Sequence, residues 1–101
     1  MTSTDCDWSY TSLRGADLSA LVLSGQRFLE ADLTDADLRG ADLGSAHLDR
    51  ARLQNAKLRG ADLRGAATGG VDFRQVDLKG VRLDVLQAVQ VARTLGALVE
   101  N

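Results

Sequence analysis

The chain has 101 residues, of which 45% are hydrophobic, four are aromatic and none is proline. This length admits one small domain and excludes a two-domain enzyme. Twelve basic against fourteen acidic side chains leave a formal charge of -2, too weak a field to gather nucleic acid or a membrane surface nonspecifically.

Residues Met1 to Asp5 are polar and offer nothing to bury, and neither a basic start with an apolar run nor a long apolar stretch appears. A signal peptide and a membrane span are therefore not expected. The single cysteine, Cys6, excludes an intramolecular disulfide framework and a cysteine-built metal site, and suits a reducing cytosol. Trp8 and Tyr10 are placed to close the first part of the fold with large rings.

From Leu13 a period of five dominates. Stepping by five gives Leu18, Leu23, Phe28, Leu33, Leu38, Leu43, Leu48, Leu53, Leu58, Leu63, Thr68, Phe73, Leu78 and Leu83, without one insertion. Two residues earlier runs a column of small, mostly apolar side chains: Ala16, Leu21, Gln26, the alanines from Ala31 to Ala66, then Val71, Val76 and Val81. Asp recurs between the two columns, and Gly two places after the Leu. A five-residue step turns about 140° on an α-helix, so the Leu column would spiral round every side and bury nothing coherent. On a straight strand alternate leucines would point to opposite faces. The pattern therefore predicts an all-β solenoid in which each unit makes one short extended side and one corner, keeping both columns inward. Glycine suits the corners because it reaches positive φ, and the Asp, Ser, Thr and Asn side chains can bond to turn backbone. The predicted core includes Leu18, Leu33, Leu38, Leu43, Leu53, Leu58, Leu63, Phe73 and Leu78.

The units Ala31-Asp32-Leu33-Thr34-Asp35, Ala36-Asp37-Leu38-Arg39-Gly40 and Ala61-Asp62-Leu63-Arg64-Gly65 resemble those of the pentapeptide-repeat proteins. The resemblance covers residues 11–83 and can be extended back to Cys6, with Gln26 and Thr68 as departures. It implies a right-handed quadrilateral β-helix with four units per coil, nearly four coils in all and about 18 Å tall at the usual strand spacing.

The five-step pattern stops at Asp84. Val85, Ala88, Val89, Ala92 and Leu95 then recur at helical spacing, with Asp84 as N-cap and Gly96 as the residue past the end. The chain thus divides into a repeat region, 1–83, and a C-terminal segment, 84–101, whose capping α-helix spans about 85–95. The polar Gln87, Gln90, Arg93 and Thr94 fall on a narrow arc, while Leu86, Val91 and Leu98 widen the apolar side beyond what one core end covers. A homodimer through Val85, Leu86, Val89, Val91, Ala92, Leu95 and Leu98 is expected, and the resemblance, in which members often pair through such helices, implies the same.

Catalytic chemistry finds little support. His47 occupies the outward column, Cys6 falls in an inward one without a basic neighbour, and the run Gly65 to Gly70 lacks the lysine and helix of a phosphate loop. No catalytic residue, cofactor or metal site is expected. The outward residues stack twenty apart, giving a basic ladder Ser19, Arg39, Arg59, Lys79 and mixed ladders Asp17, Asp37, Lys57, Asp77 and Val22, Asp42, Asp62, Arg82. The expected role is a non-enzymatic structural or protein-interaction module for an unidentified protein partner, with no direct binding of nucleic acid. The resemblance implies one alternative: some members mimic DNA and bind DNA gyrase or topoisomerase IV, a property linked to quinolone resistance. The balanced charge of the repeats weighs against it.

Overall fold

The structure, a computed structural model, describes residues 7–96. Parallel backbone bridges join residues twenty apart, from Asp7 with Arg27 through Asp62 with Arg82. Twenty residues, or four five-residue units, thus make one layer of a β-solenoid. The central residues of the layers are Trp8, Leu13, Leu18 and Leu23; Phe28, Leu33, Leu38 and Leu43; Leu48, Leu53, Leu58 and Leu63; and Thr68, Phe73, Leu78 and Leu83.

Every described corner except the one at Gln75 is made the same way. The N–H of the residue three places after the central one donates back to its carbonyl, as from Ala36 to Leu33 at 3.0 Å and from Ala41 to Leu38 at 3.0 Å. The residue two places after the centre takes positive φ, which identifies a type II turn. Glycine holds this position at 15, 25, 40, 60, 65, 70 and 80, but Tyr10, Ala20, Glu30, Asp35, Ser45, Arg50 and Asn55 also adopt it. The interlayer ladder imposes the left-handed conformation even where a side chain opposes it.

The Asp column builds the corners. The Oδ1 atoms of Asp7, Asp17, Asp32, Asp37, Asp42, Asp62, Asp72 and Asp77 each accept the backbone N–H two residues on, at 2.9–3.1 Å. Side chains reinforce this: Arg39, Arg64 and Arg74 each fold back onto the Asp two places earlier, with Nη2 to Oδ2 distances of 2.6, 2.8 and 2.8 Å. The guanidinium bonds, then the backbone N–H, hold the carboxyls of Asp37, Asp62 and Asp72 down at about 2, below the ordinary 3.8. Carboxylates so loaded with donors resist protonation.

The interior is one continuous apolar column. Leu33, Leu38, Leu43, Leu53, Leu58, Leu63 and Phe73 are buried, and the alanines from Ala31 to Ala66 are buried with them. Leu18 and Leu78, also expected in the core, pack against it but remain half-exposed because they lie in the first and last layers. The two departures from the pattern each have a partner. Buried Gln26 accepts a hydrogen bond from Trp8 Nε1 at 2.7 Å, and the Trp8 ring stacks on Phe28 with centroids 6.3 Å apart. Thr68 is taken up by the C-terminal helix, described below.

The ladder is complete between the first three layers and incomplete in one place. Elsewhere a central N–H donates to the carbonyl nineteen residues on, as from Leu33 to Arg52 at 2.8 Å. Between the third and fourth layers this holds for Leu48 to Ala67 and Leu63 to Arg82, both within 2.9 Å. The N–H groups of Leu53, Leu58, Gly60, Asp72 and Asp77 lack the equivalent bond. At the corner between them the register slips by one: Asn55 N–H reaches the carbonyl of Gln75 at 2.9 Å rather than that of Arg74. Gln75 is also the corner residue that does not take positive φ. Arg52 and Asp72 consequently form no bridge, while Lys57 and Asp77 still run side by side.

Two outcomes are expected. Ala20 and Gly40 occupy the same corner of successive layers, with φ of 58° and 69°, and a Cβ on Gly40 would meet only the Ala20 Cα, at 3.9 Å. Ala20→Gly should therefore stabilise the chain by about 0.5–1 kcal/mol and Gly40→Ala should destabilise it by about 1 kcal/mol, read from urea unfolding. The second outcome concerns acid. The folded pKa values of Asp37, Asp62 and Asp72 lie below the unfolded value, so their contribution is complete above about pH 4 and is lost as pH falls toward 2. The urea midpoint should drop across that window, and the drop should shrink in the triple variant Asp37→Asn, Asp62→Asn, Asp72→Asn.

Candidate functional site

The C-terminal segment forms helix α1, Val85–Thr94. Asp84 starts it with a reciprocal capping box. Its Oδ1 accepts the N–H of Gln87 at 2.9 Å while its own N–H donates to Gln87 Oε1 at 3.1 Å. The other oxygen, Oδ2, accepts the N–H of Gly65 at 2.8 Å. One carboxylate thus starts the helix and pins it to the preceding layer, and these backbone donors hold its pKa below the ordinary value. Leu95 is the C-cap, and Gly96 follows with a φ of 89°.

The helix turns the opposite side to the solenoid from the one its hydrophobicity predicts. Gln87 is 3% exposed, and its Nε2 donates to the carbonyls of Leu63 and Ala66. Gln90 Nε2 donates to the Thr68 carbonyl at 2.7 Å, while the Thr68 hydroxyl donates to Gln90 Oε1 at 2.7 Å. With Val91 and Thr94 these form an i, i+3, i+4, i+7 stripe facing the last layer. The physical reason is that this layer presents carbonyls with no further layer to pair them. The side-chain amide of Gln87 satisfies the Ala66 carbonyl, which accepts no backbone N–H among the described residues. With Gln90 it adds a second donor to the carbonyls of Leu63 and Thr68, which already accept a turn N–H, and an apolar lid would leave Ala66 bare. Neither Gln87 nor Gln90 belonged to the predicted interface. The signal for them was a polar pair one helical turn apart, matched by a lone Thr68 in the Leu column.

The outward side of α1 is apolar. Val85, Leu86 and Leu95 are 79%, 82% and 66% exposed. Val89 and Ala92 are half-buried. Val91, expected among the outward residues, packs against the core instead, because position 91 shares the inward stripe with Gln87. Leu98 lies outside the described residues.

The flanks of the rod are polar. Arg59 and Asp77 pair across layers at 2.8 Å, and Arg14–Asp32 and Arg27–Asp7 do so more loosely at 3.7 and 3.6 Å. Exposed pairs of this kind contribute about 0–1 kcal/mol each. The strongest pairs join Asp and Arg within one unit, so much of the acidic charge is spent on the corners. Along the rod the charge divides: residues 7–46 carry seven acids and three bases, and residues 47–83 carry four acids and eight bases. His47 is exposed on a flank, and Gly70 serves as a corner with a φ of 73°. Among the described residues no three His, Cys, Asp or Glu side chains converge on a metal-sized site, and no helix is long and apolar enough to cross a membrane. Cys6 lies outside the described residues.

A shallow groove of about 670 Å³ follows the imperfect part of the ladder, lined by Arg50, Ala51, Arg52, Leu53, Gln54, Gly70, Asp72, Arg74 and Gln75. A second, of about 420 Å³, continues round the corner past Lys57 and Arg59 and shares Gln75 with the first.

Comparison with known proteins places this architecture. The profile of the family described as pentapeptide repeats matches residues 27–65 and 56–84, in eight copies. QnrB1, a plasmid-mediated fluoroquinolone resistance protein, is similar at 30% identity and a TM-score of 0.77, over 89% of this chain and 42% of its own. One of its substituted, trypsin-treated variants gives 30% identity and a TM-score of 0.76, over 92% of this chain and 45% of that one. The chain therefore spans less than half the length of QnrB1. A pentapeptide repeat protein of Nostoc, alr5209, is 33% identical with a TM-score of 0.50, over 79% of this chain and 78% of its own. No curated protein sequence matches. With the five-residue period, the twenty-residue ladder and the profile match over more than half of its length, the chain belongs to the pentapeptide-repeat family.

Proposed function

We propose that the chain is a non-enzymatic protein-interaction module. Residues 1–83 form a right-handed quadrilateral rod of nearly four coils, and residues 84–101 close one end of it and join two copies into a homodimer. The cytoplasm is its setting. The observation that carries this reading is the outward face of α1, where Val85, Leu86 and Leu95 stand exposed on a helix whose polar side is already used against the rod. Surface leucines occur singly on many proteins, but three large apolar side chains on the outer side of one terminal helix suit a two-fold pairing, in which each helix covers the other. The rod supplies rigidity, and its flanks offer flat polar faces to a further protein.

Light scattering at micromolar concentration should give twice the chain mass. The double variant Leu86→Glu, Leu95→Glu should give the monomer mass, with an unfolding free energy per chain, measured in dilute samples, within about 0.5 kcal/mol of the parent. A monomeric parent would overturn the homodimer.

The similarity to QnrB1 supports a second reading, a DNA-mimicking protein that binds gyrase or topoisomerase IV. Duplex DNA carries about one negative charge per 1.7 Å of axis. Here residues 1–83 carry twelve acids against eleven bases, and many of those carboxylates are held by their own corners. The charge therefore favours the first reading, and a gyrase supercoiling assay decides between them. No effect is expected at tens of micromolar protein, whereas inhibition or relief of fluoroquinolone poisoning below about 1 µM would establish the second reading.

A further inference from the structure

We propose that the first layer of the rod pairs with the first layer of a second copy of this chain, end to end about a two-fold axis. The contact lies at the end opposite α1 and does not depend on pairing through that helix.

The backbone defines it. In the inner layers the residue before the central one turns both of its polar groups toward the preceding layer. Asp32 donates its N–H to the Thr11 carbonyl at 2.9 Å and accepts the Leu13 N–H at 2.8 Å, and Asp37 and Asp42 do the same one and two units on. Ser12, Asp17 and Val22 hold this position in the first layer, and among the described residues their N–H and C=O groups have no partner. These groups point along the axis, out of the end of the rod, as the open edge of a parallel ladder. The apolar interior reaches the same end. Leu13, Ala16 and Leu18 are half-exposed, and Leu21 and Val22 are 37% and 43% exposed. The repeat itself changes here: Leu21-Val22-Leu23 stands where later layers have Ala41-Asp42-Leu43 and Ala61-Asp62-Leu63.

Geometry selects the occupant. An extended segment could follow only one side before the corner turned the edge away from it, whereas a coil follows every side. The other end of a second copy is closed by α1, whose Gln87 and Gln90 hold the carbonyls of Ala66 and Thr68. Two first layers related by a two-fold run antiparallel on every side, and residues that turn both groups outward then exchange two hydrogen bonds with the residue opposite. A coil climbs one layer spacing per circuit. Two coils of one hand therefore mate throughout only if the axis passes through the corner where the described coil begins, between the sides of Val22 and Asp7. That axis sets Ser12 opposite the second copy's Asp17, and Val22 opposite the second copy's Asp7. Charge agrees. An axis through a side would set Asp7 and Asp17 opposite themselves or each other, which is destabilising. The corner axis separates these carboxylates and brings Arg14 to the side that holds the second copy's Asp17. The rod is 23 by 21 Å across, so two ends together bury roughly 1,000 Å², the lower bound of a specific interface.

The test uses the full chain with Leu86→Glu and Leu95→Glu, which remove the outward face of α1, in sedimentation equilibrium from about 5 µM to about 1 mM protein. A monomer–dimer equilibrium with a Kd of about 100 µM is expected. The amides of Ser12, Asp17 and Val22 should gain protection from hydrogen exchange as the dimer forms. Val22 reports the register. Its column holds Asp at 42 and 62 and Arg at 82, so both residue types fit the fold, which matching unfolding midpoints verify. In the same background Val22→Asp should pair at least about fivefold more weakly than Val22→Arg, because one repels the second copy's Asp7 and the other attracts it. A chain still monomeric at about 1 mM, protection of the three amides already present in dilute protein, a dimer that leaves them unprotected, or equal affinities for the two Val22 variants would each overturn the proposal. The unsubstituted chain reports the helix separately. A monomer at micromolar concentration there refutes pairing through α1 and leaves this test intact.

Discussion

Everything in this molecule depends on the parallel backbone ladder that joins residues twenty apart. Each unit must deliver its central N–H to the layer beyond it and turn a corner within five residues, and only a left-handed residue at the fifth step allows both. That requirement overrides local preference: Glu30 and Arg50 sit at φ values of 55° and 60°, where side chains of their kind are uncommon. The cost at such corners, about 1–2 kcal/mol each for non-glycine residues, is offset by the hydrogen bonds and the buried Leu and Ala columns the corner makes possible. Because neighbouring sides share one layer, an error at one corner propagates. The slip at Gln75 removes bonds on both adjoining sides, while the remote sides, at Ala67 and Arg82, stay paired.

The same ladder explains the C-terminal helix. A solenoid ends on a row of carbonyls, and the cover it needs is polar where it touches the backbone. Gln87 and Gln90 meet that need from a single helical stripe, with Thr68 replacing a leucine to complete the hydrogen bonds. Asp84 then links the two structures, capping the helix with one oxygen and the Gly65 corner with the other. An apolar outer face follows as a consequence. Once the amides are turned inward, Val85, Leu86 and Leu95 have only the outside left.

Much of this could be read in the residues. The unbroken five-step columns specify a solenoid because neither a helix nor a flat sheet can bury them, and the end of the columns at Asp84 marks the helix to within a residue. The capping role of Asp84 and the position of Gly96 were legible for the same local reason. The orientation of α1 was not, since hydrophobic patterning assumes that the buried side is the apolar side, and here the buried partner is backbone. Nor could the slipped ladder be foreseen. Gln75 stands in phase with residues such as Glu30 and Arg50 that do adopt the corner conformation, so nothing in its own identity distinguishes it.

Charge is where the corners constrain function most. An Asp between the columns serves its own turn before it serves the surface, and where an Arg follows two places on, the pair presents a nearly neutral face. The excess that remains is arranged along the axis, acidic in residues 7–46 and basic in residues 47–83, and the basic half is the one that carries α1. Two copies joined through α1 would therefore bring like-charged halves together and leave the acidic halves at the tips. Over a screening length of about 8 Å at physiological salt that repulsion is weak but unfavourable, so the pairing must draw its stability from the apolar residues of the helix. The resulting rod would be basic at its centre and acidic at its ends, a distribution unlike the uniform charge of duplex DNA.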